Sequence, residues 1–360
     1  MQRVLLFGLG GLLLLGLAGA DLMARAASML VTDVSLASLD TTDHPATVPT
    51  ADPDTPDPDA DPAVDPVAIT RQDVLIVGVD SREGLSSEQM SEMGAGDHGG
   101  ALTDTIIWVQ YLPQTNDLRM VSIPRDLAVD TDEFGTQKIN AIHPLYDEDG
   151  ADRLIQEVEE IVGADLDHYV EINLAGLVAL TDAIGGVEVC LDEPIDDEKV
   201  GYIPAGCQVL DGIDAGRFTR ARHVSDSFGE GTHGRNVRQQ YFIRQAIRQV
   251  LSAGTLTDPS ALRGLAAVAS DVAVVDDGLT LTGIYELATV FRNTAPDDIK
   301  GVNLPVFSYI GDDGLYYERP REDAGDAVFE ALRYGTSLPE LDEDGNLVDS
   351  DVVAGQDIDS

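Results

Sequence analysis

The spacing of apolar and polar positions divides the chain into four stretches. Val4 to Ala20 is an unbroken run of apolar or glycine residues between Arg3 and Asp21. It is short for a membrane span, which needs about 20 residues, but Leu22, Met23 and the following alanines extend it, with Arg25 able to reach the interface. Ala18-Gly19-Ala20 also fits the small-residue site of a cleaved signal peptide. Residues 1–27 are therefore an anchor or a signal segment, and either reading puts the rest outside the cytoplasmic membrane. Residues 28–70 show no period. From Ala51 to Pro62 Asp alternates with Pro, which rules out helix and sheet ladder and predicts a solvated, extended acidic linker.

Periodicity begins at about residue 71. Val74–Val79 is a continuous β-branched run, the mark of a buried strand. Thr105–Tyr111 and Leu118–Ile123 follow, joined by a turn with Pro113, Asn116 and Asp117, and predict a hairpin. Ala151–Val162 places Leu154, Ile155, Val158, Ile161 and Val162 on one helical face. A strand at His168–Ile172 leads into a helix capped by Asn173 and ended by Gly185-Gly186. Val187–Leu191 is a strand, about Ala215–Arg222 and about Asn236–Leu251 are helices, and further helices follow Pro259. Short strands are expected near Gly301–Phe307 and Leu315–Glu318, then a helix over Glu322–Tyr334. Strands and helices interleaved in this way predict one α/β (α-β-α) domain over 71–337, a mostly mixed central sheet with helices on both faces. Residues 338–360 are acidic and aperiodic and are expected to be a disordered tail.

Charge then narrows the chemistry. Asp and Glu number 65 against 22 Lys and Arg, for a formal charge of −43. Such a surface repels nucleic acid, so DNA and RNA are not expected partners. The only lysines are Lys138, Lys199 and Lys300; a surface rich in acids and poor in lysine predicts adaptation to saline surroundings, where salt screens self-repulsion. Against this background, Arg217, Arg220, Arg222, Arg235, Arg238, Arg244 and Arg248 face only Asp226 and Glu230 in their own stretch. Salt bridging on a helix accounts for Arg244 and Arg248. Clustered guanidinium forks with few carboxylates to pair with suit phosphate oxygens, so a polyphosphorylated ligand is the sharper reading of the rest.

Carboxylates at strand ends are the second signal. Asp80 directly follows Val74–Val79, and Asp104 enters the next strand in Leu102-Thr-Asp-Thr. Ligands of α/β sheets gather at such ends, and two converging carboxylates suit a hard divalent cation that bridges phosphates; the alternative is that each caps a turn. In Ser122-Ile-Pro-Arg-Asp126, Pro124 fixes the direction from which Arg125 projects, and Lys138 stands in Gln137-Lys-Ile-Asn140. Cys190 and Cys207, in an exported chain without histidine between them, are read as a structural disulfide.

The ordered set of these motifs resembles the LytR-CpsA-Psr family of cell-envelope proteins. The matching pieces are Gly78-Val-Asp-Ser-Arg82, Thr103-Asp-Thr105, Ser122-Ile-Pro-Arg-Asp126, Lys138-Ile-Asn140, Asp167-His-Tyr169, Gly185-Gly-Val-Glu-Val189, Leu210-Asp-Gly212, Arg220-Ala-Arg222 and Gly234-Arg-Asn-Val-Arg-Gln239. The resemblance implies a phosphotransferase that moves a glycopolymer from a polyprenyl-pyrophosphate carrier to a sugar hydroxyl of peptidoglycan at the cytoplasmic membrane. It implies Mg²⁺ (or Mn²⁺) on Asp80 and Asp104, with Asp80, Asp104 and Arg125 as catalytic residues. Arg82, Arg125, Lys138, Arg220, Arg222, Arg235, Arg238 and Gln239 would contact the pyrophosphate, and the prenyl chain would run into an apolar channel between sheet and helices. Two positions depart from the family pattern: Leu102 stands where an Arg often precedes Thr-Asp, and Thr232 where an acid often precedes the Arg matching Arg235. Two other functions use the same residues, a hydrolase with water as acceptor and a non-catalytic scaffold that binds the lipid pyrophosphate. No helix-turn-helix supports a DNA-binding regulator.

Overall fold

The computed structural model describes residues 70–96, 102–146, 149–222, 228–229, 231–252, 267–268, 272–276, 295–342 and 345–348. The N-terminal segment, the linker and most of the stretch after Pro259 lie outside these residues. Among the described residues no helix is long and apolar enough to cross a membrane.

In chain order the elements are β1 (Gln72–Val79), α1 (Ser87–Glu92), β2 (Thr103–Leu112), β3 (Asp117–Ser122), β4 (Ala128–Thr131), β5 (Gly135–Lys138), α2 (Ile142–Leu145) and α3 (Gly150–Val162). Next come β6 (His168–Asn173), α4 (Leu174–Ala183), β7 (Val187–Leu191), β8 (Ile195–Asp197), β9 (Gly201–Ile203), β10 (Gly206–Leu210), α5 (Gly212–Arg220) and α6 (Gly231–Ser252). The last are β11 (Ala273–Val275), β12 (Lys300–Asn303), β13 (Val306–Ile310), β14 (Tyr316–Pro320) and α7 (Glu322–Tyr334).

The central sheet runs β11-β6-β1-β2-β3-β12. It is mixed: β1 pairs antiparallel with β2 and parallel with β6, while β3 pairs antiparallel with β2 and parallel with β12. Because side chains alternate along a strand, β1 feeds two cores. Val74 and Ile76 pack with Ile107, Val170 and the residues of α4, α5 and α6 on one face. Leu75, Val77 and Val79 pack with Trp108 of β2, Leu154 and Val158 of α3 and Leu332 of α7 on the other. The expected α-β-α layering is therefore present.

A buried polar group locks the second face. Arg119 of β3 is fully buried and donates to Gln110 Oε1 at 2.9 Å and to Ala331 O at 2.7 Å, and it also reaches Thr336 O. Asp73 accepts from Trp108 Nε1 at 2.7 Å and from Gln110 Nε2 at 2.5 Å. A cation at the C-terminus of α7 satisfies carbonyls that the helix itself leaves open. Cys190 and Cys207 face each other across β7 and β10 and form a disulfide.

Several expectations shift. The helix expected at Ala215–Arg222 is α5, which starts three residues earlier behind the Asp211 cap (Asp214 N donates to Asp211 Oδ1, 2.9 Å) and stops at Arg220. Arg222 thus stands outside the helix. The folded part also continues past 337. Leu338 packs on the second core, Leu341 bridges to Leu347, and Arg321 Nη1 donates to Asn346 Oδ1 at 2.6 Å. The start of the expected tail is thereby a turn held against β14 and α7, because its apolar positions find a face that the aperiodic sequence pattern does not reveal.

Candidate active site

β1 carries a bulge between Gly78 and Val79, and beyond it the backbone of Asp80 donates to Leu102 O at 2.9 Å. The irregularity ends the ladder and brings Asp80 beside the start of β2, where Asp104 sits two positions on. Gly78 has a packing reason: an added Cβ would lie 2.9 Å from Thr105 Cβ.

Asp104 is the centre of the site. Its Oδ1 accepts from Arg125 Nη1 at 2.7 Å, and its Oδ2 accepts from Arg222 Nη2 at 2.6 Å and from Arg235 Nη1 at 3.3 Å. Arg235 Nη2 donates to the Asp104 carbonyl at 2.9 Å, and Arg235 is only 1% exposed. Burial alone would lower the pKa of Arg125, but Asp104 and Asp126 outweigh it and hold the guanidinium above its ordinary value. Three cations around one carboxylate leave an excess of positive charge with unused donors. Arg235 Nε is buried and has no hydrogen-bond partner, and neither do Arg82 Nε and Nη1. Arg82 Nη2 lies 3.4 Å from Asp80 Oδ2.

Behind these groups a cavity runs between the sheet and helices α4 and α6. Asp80, Asp104, Arg220, Arg235 and Gln239 line its polar end together with Thr105, Asn173 and Thr219. Its depth is lined by Ile76 and Ile172 of the sheet, Leu177, Leu180 and Ile184 after β6, and Phe242, Ile243 and Ala246 of α6. Burial pulls the pKa of Arg220 down; Arg82 and Arg222 add to this, while Asp80 and Asp104 oppose it. Arg220 Nη1 donates to Met93 O at 3.2 Å, and Gln239 Nε2 to Thr219 O at 3.3 Å.

Of the expected site residues, Asp80, Asp104, Arg220, Arg235 and Gln239 line the cavity, Arg82, Arg125 and Arg222 reach it through Asp80 or Asp104, and two stand apart. Arg238 is fully buried, donates to Ala221 O at 2.7 Å and is not among the lining residues, so it supports the turn that presents Arg222 instead of facing the cavity. Lys138 is also absent from the lining; its Nζ donates to Asp126 Oδ1 at 2.7 Å and lies 5.4 Å from the Tyr316 ring centroid. Thr219 and the apolar lining were not singled out from sequence, and Asn173 was read only as the helix cap that it is. The spacing 235, 239, 242, 243, 246 along one helix was the available signal. Leu102, in place of the family arginine, is 39% exposed and adds no donor to the cluster.

Among the described residues no group of three or more His, Cys, Asp or Glu side chains could hold a metal. Asp80 and Asp104 remain as a pair, and Asp80 Oδ1 is buried without a partner. Two carboxylates, one with an open oxygen, fit Mg²⁺, which takes few protein ligands and completes its shell with water and phosphate.

The chain resembles known proteins throughout this region. The cell wall biosynthesis protein LcpA of Corynebacterium glutamicum is 35% identical over 268 residues, which cover 66% of this chain and 51% of that protein. The chain thus spans about half of LcpA's length. The polyisoprenyl-teichoic acid–peptidoglycan teichoic acid transferase TagU of Bacillus cereus is 26% identical over 260 residues, 72% of this chain and 77% of that one. The crystal structure of Bacillus subtilis TagV superposes with a TM-score of 0.57 at 21% identity, covering 74% of this chain and 98% of that one, and so shares the fold. Residues 44–333 match the LytR_cpsA_psr family. With the match running over most of its length, the chain belongs to the LytR_cpsA_psr family.

Proposed function

We propose that this protein transfers a glycopolymer from a polyprenyl-pyrophosphate carrier to a hydroxyl of peptidoglycan, outside the cytoplasmic membrane. One observation carries the reading: a single cavity has an apolar depth and a polar end formed by Asp80, Asp104, Arg220 and Arg235. An amphiphile with a hydrocarbon tail and a diphosphate head matches both ends at once. The name of the TagU relative supports the same donor and acceptor classes.

In this reading Arg125, Arg222 and Arg235 turn from Asp104 to the nonbridging oxygens, with Arg82 and Arg220 completing the ring. Asp80 and Asp104 would hold Mg²⁺ (or Mn²⁺), which supplies further neutralisation of the diphosphate. The guanidiniums stabilise the charge that develops on the departing polyprenyl phosphate, and their fixed positions limit reorganisation as it forms. Gln239 orients the head at the helix face. The disulfide fits an oxidising compartment, in line with an N-terminal anchor or export signal.

The test is incubation of the full-length protein with lipid-linked glycan, with and without peptidoglycan. The expected result is glycan on peptidoglycan, and a rate reduced by about 10²-fold or more in Asp104→Ala and Arg235→Gln, the scale typical of lost charge stabilisation. Release of phosphosugar regardless of peptidoglycan makes the protein a hydrolase. Lipid binding without turnover makes it a scaffold. Either result overturns the proposal.

A further inference from the structure

A second polar cluster lies on the other side of Arg125. β14 docks on the loop after β3 through the Leu127–Glu318 bridge, and Glu318 N donates to Asp126 O at 2.9 Å. Tyr316 OH donates to Glu318 Oε1 at 2.8 Å and lies 2.8 Å from Ser308 Oγ. Lys138 sits over the Tyr316 ring and holds Asp126, whose Oδ2 is 3.6 Å from Arg125 Nε. None of Asp126, Lys138, Tyr316 and Glu318 lines the diphosphate cavity. Arg125 is the link between the two groups.

Two features of this cluster point to a ligand. Glu318 is 8% exposed, yet its Oε2 is buried without a hydrogen-bond partner, an arrangement that costs free energy unless something donates to it. Tyr316 is 41% exposed beside Ile310, its β13 partner, which is 65% exposed. A buried acceptor, an ammonium donor and an open aromatic ring within one patch match a sugar. Its hydroxyls donate and accept, and its C–H face packs on a ring. A phosphate would meet Asp126 and Glu318, so a second anion is disfavoured.

We propose that Lys138, Tyr316 and Glu318 form the subsite for the hydroxyl-bearing glycan that accepts the transferred group, with Arg125 as the wall it shares with the diphosphate site. The acceptor role rests on the function proposed above; the affinity for sugar does not. Lys138, read from sequence as a diphosphate contact, then belongs to the acceptor side.

Titration of the full-length protein with soluble peptidoglycan glycan fragments tests this without turnover. Binding is expected in the wild type, with affinity lowered about tenfold in Glu318→Gln and Tyr316→Ala, the loss of one hydrogen bond or ring contact. Tyr316→Phe keeps the ring and part of the affinity, and Lys138→Gln replaces Tyr316→Ala as the readout if that variant does not fold. In the transfer assay the same variants raise the acceptor KM and leave the donor KM unchanged. Wild-type affinity in all variants overturns the subsite, as does a protein that binds lipid diphosphate but no glycan. Glycan binding that depends on Tyr316 in a protein indifferent to lipid diphosphate keeps the subsite and overturns the transferase reading.

Discussion

At the scale of single residues, what distinguishes the buried carboxylates is their partners. Glu171 is partly buried, which alone would raise its pKa, but His143 (3.0 Å) and Tyr169 OH (2.7 Å) outweigh this and bring it below the ordinary value. Glu157 is buried with Arg153 as its counterion, and there burial wins and raises the pKa. The two contribute opposite pH slopes. The contribution of Glu171 is present above the ordinary carboxylate range and is lost as pH falls through its lowered pKa. That of Glu157 declines as pH rises from the ordinary value through its raised one. Denaturant titrations from pH 3 to 8 are expected to show a flatter acid limb in Glu171→Gln and a smaller loss toward neutrality in Glu157→Gln. Which charges serve the site was legible where neighbouring residues set their exit direction, as at the strand ends of Asp80 and Asp104 and behind Pro124 for Arg125. It was not legible on α6, where charge is visible but azimuth decides. At 100° per residue Gln239, Phe242 and Ala246 fall within about 40° of Arg235, whereas Arg238 turns about 60° to the opposite flank.

At the scale of elements, long periodic or continuously apolar segments declared themselves: β1, β2, β3, α3 and α7 lie where their patterns predict. The pairs β4–β5 and β8–β9 did not, since strands of three or four residues are too short to show alternation. They matter to the site all the same, because β5 delivers Lys138 and Asp197 of β8 accepts the backbone of Arg222 at 2.8 Å. The disulfide staples β7 to β10 just ahead of α5, whose C-terminal end carries Arg220. Removing it in Cys190→Ser/Cys207→Ser is expected to cost about 3 kcal/mol in the chain-entropy description. Thermal unfolding with and without reductant measures this: the wild type should fall to the variant's midpoint when reduced, and the variant should not respond.

At the scale of the whole molecule, a charge of −43 surrounds a site built of guanidiniums. The surface repels itself and the site attracts anions, and salt weakens both effects. Raising NaCl from 0.1 to 2 M is therefore expected to raise the unfolding midpoint while weakening binding of a soluble diphosphate. A midpoint indifferent to salt would remove the link to saline surroundings. The cavity adds a geometric consequence of its own. Because one end is lined by charge and the other by leucine, isoleucine and phenylalanine, a two-ended guest fits in only one sense. In the proposed function, tail-first loading seats the diphosphate at the polar end and leaves whatever it carries outside the cavity, so cargo of any length is tolerated and selection falls on the junction alone.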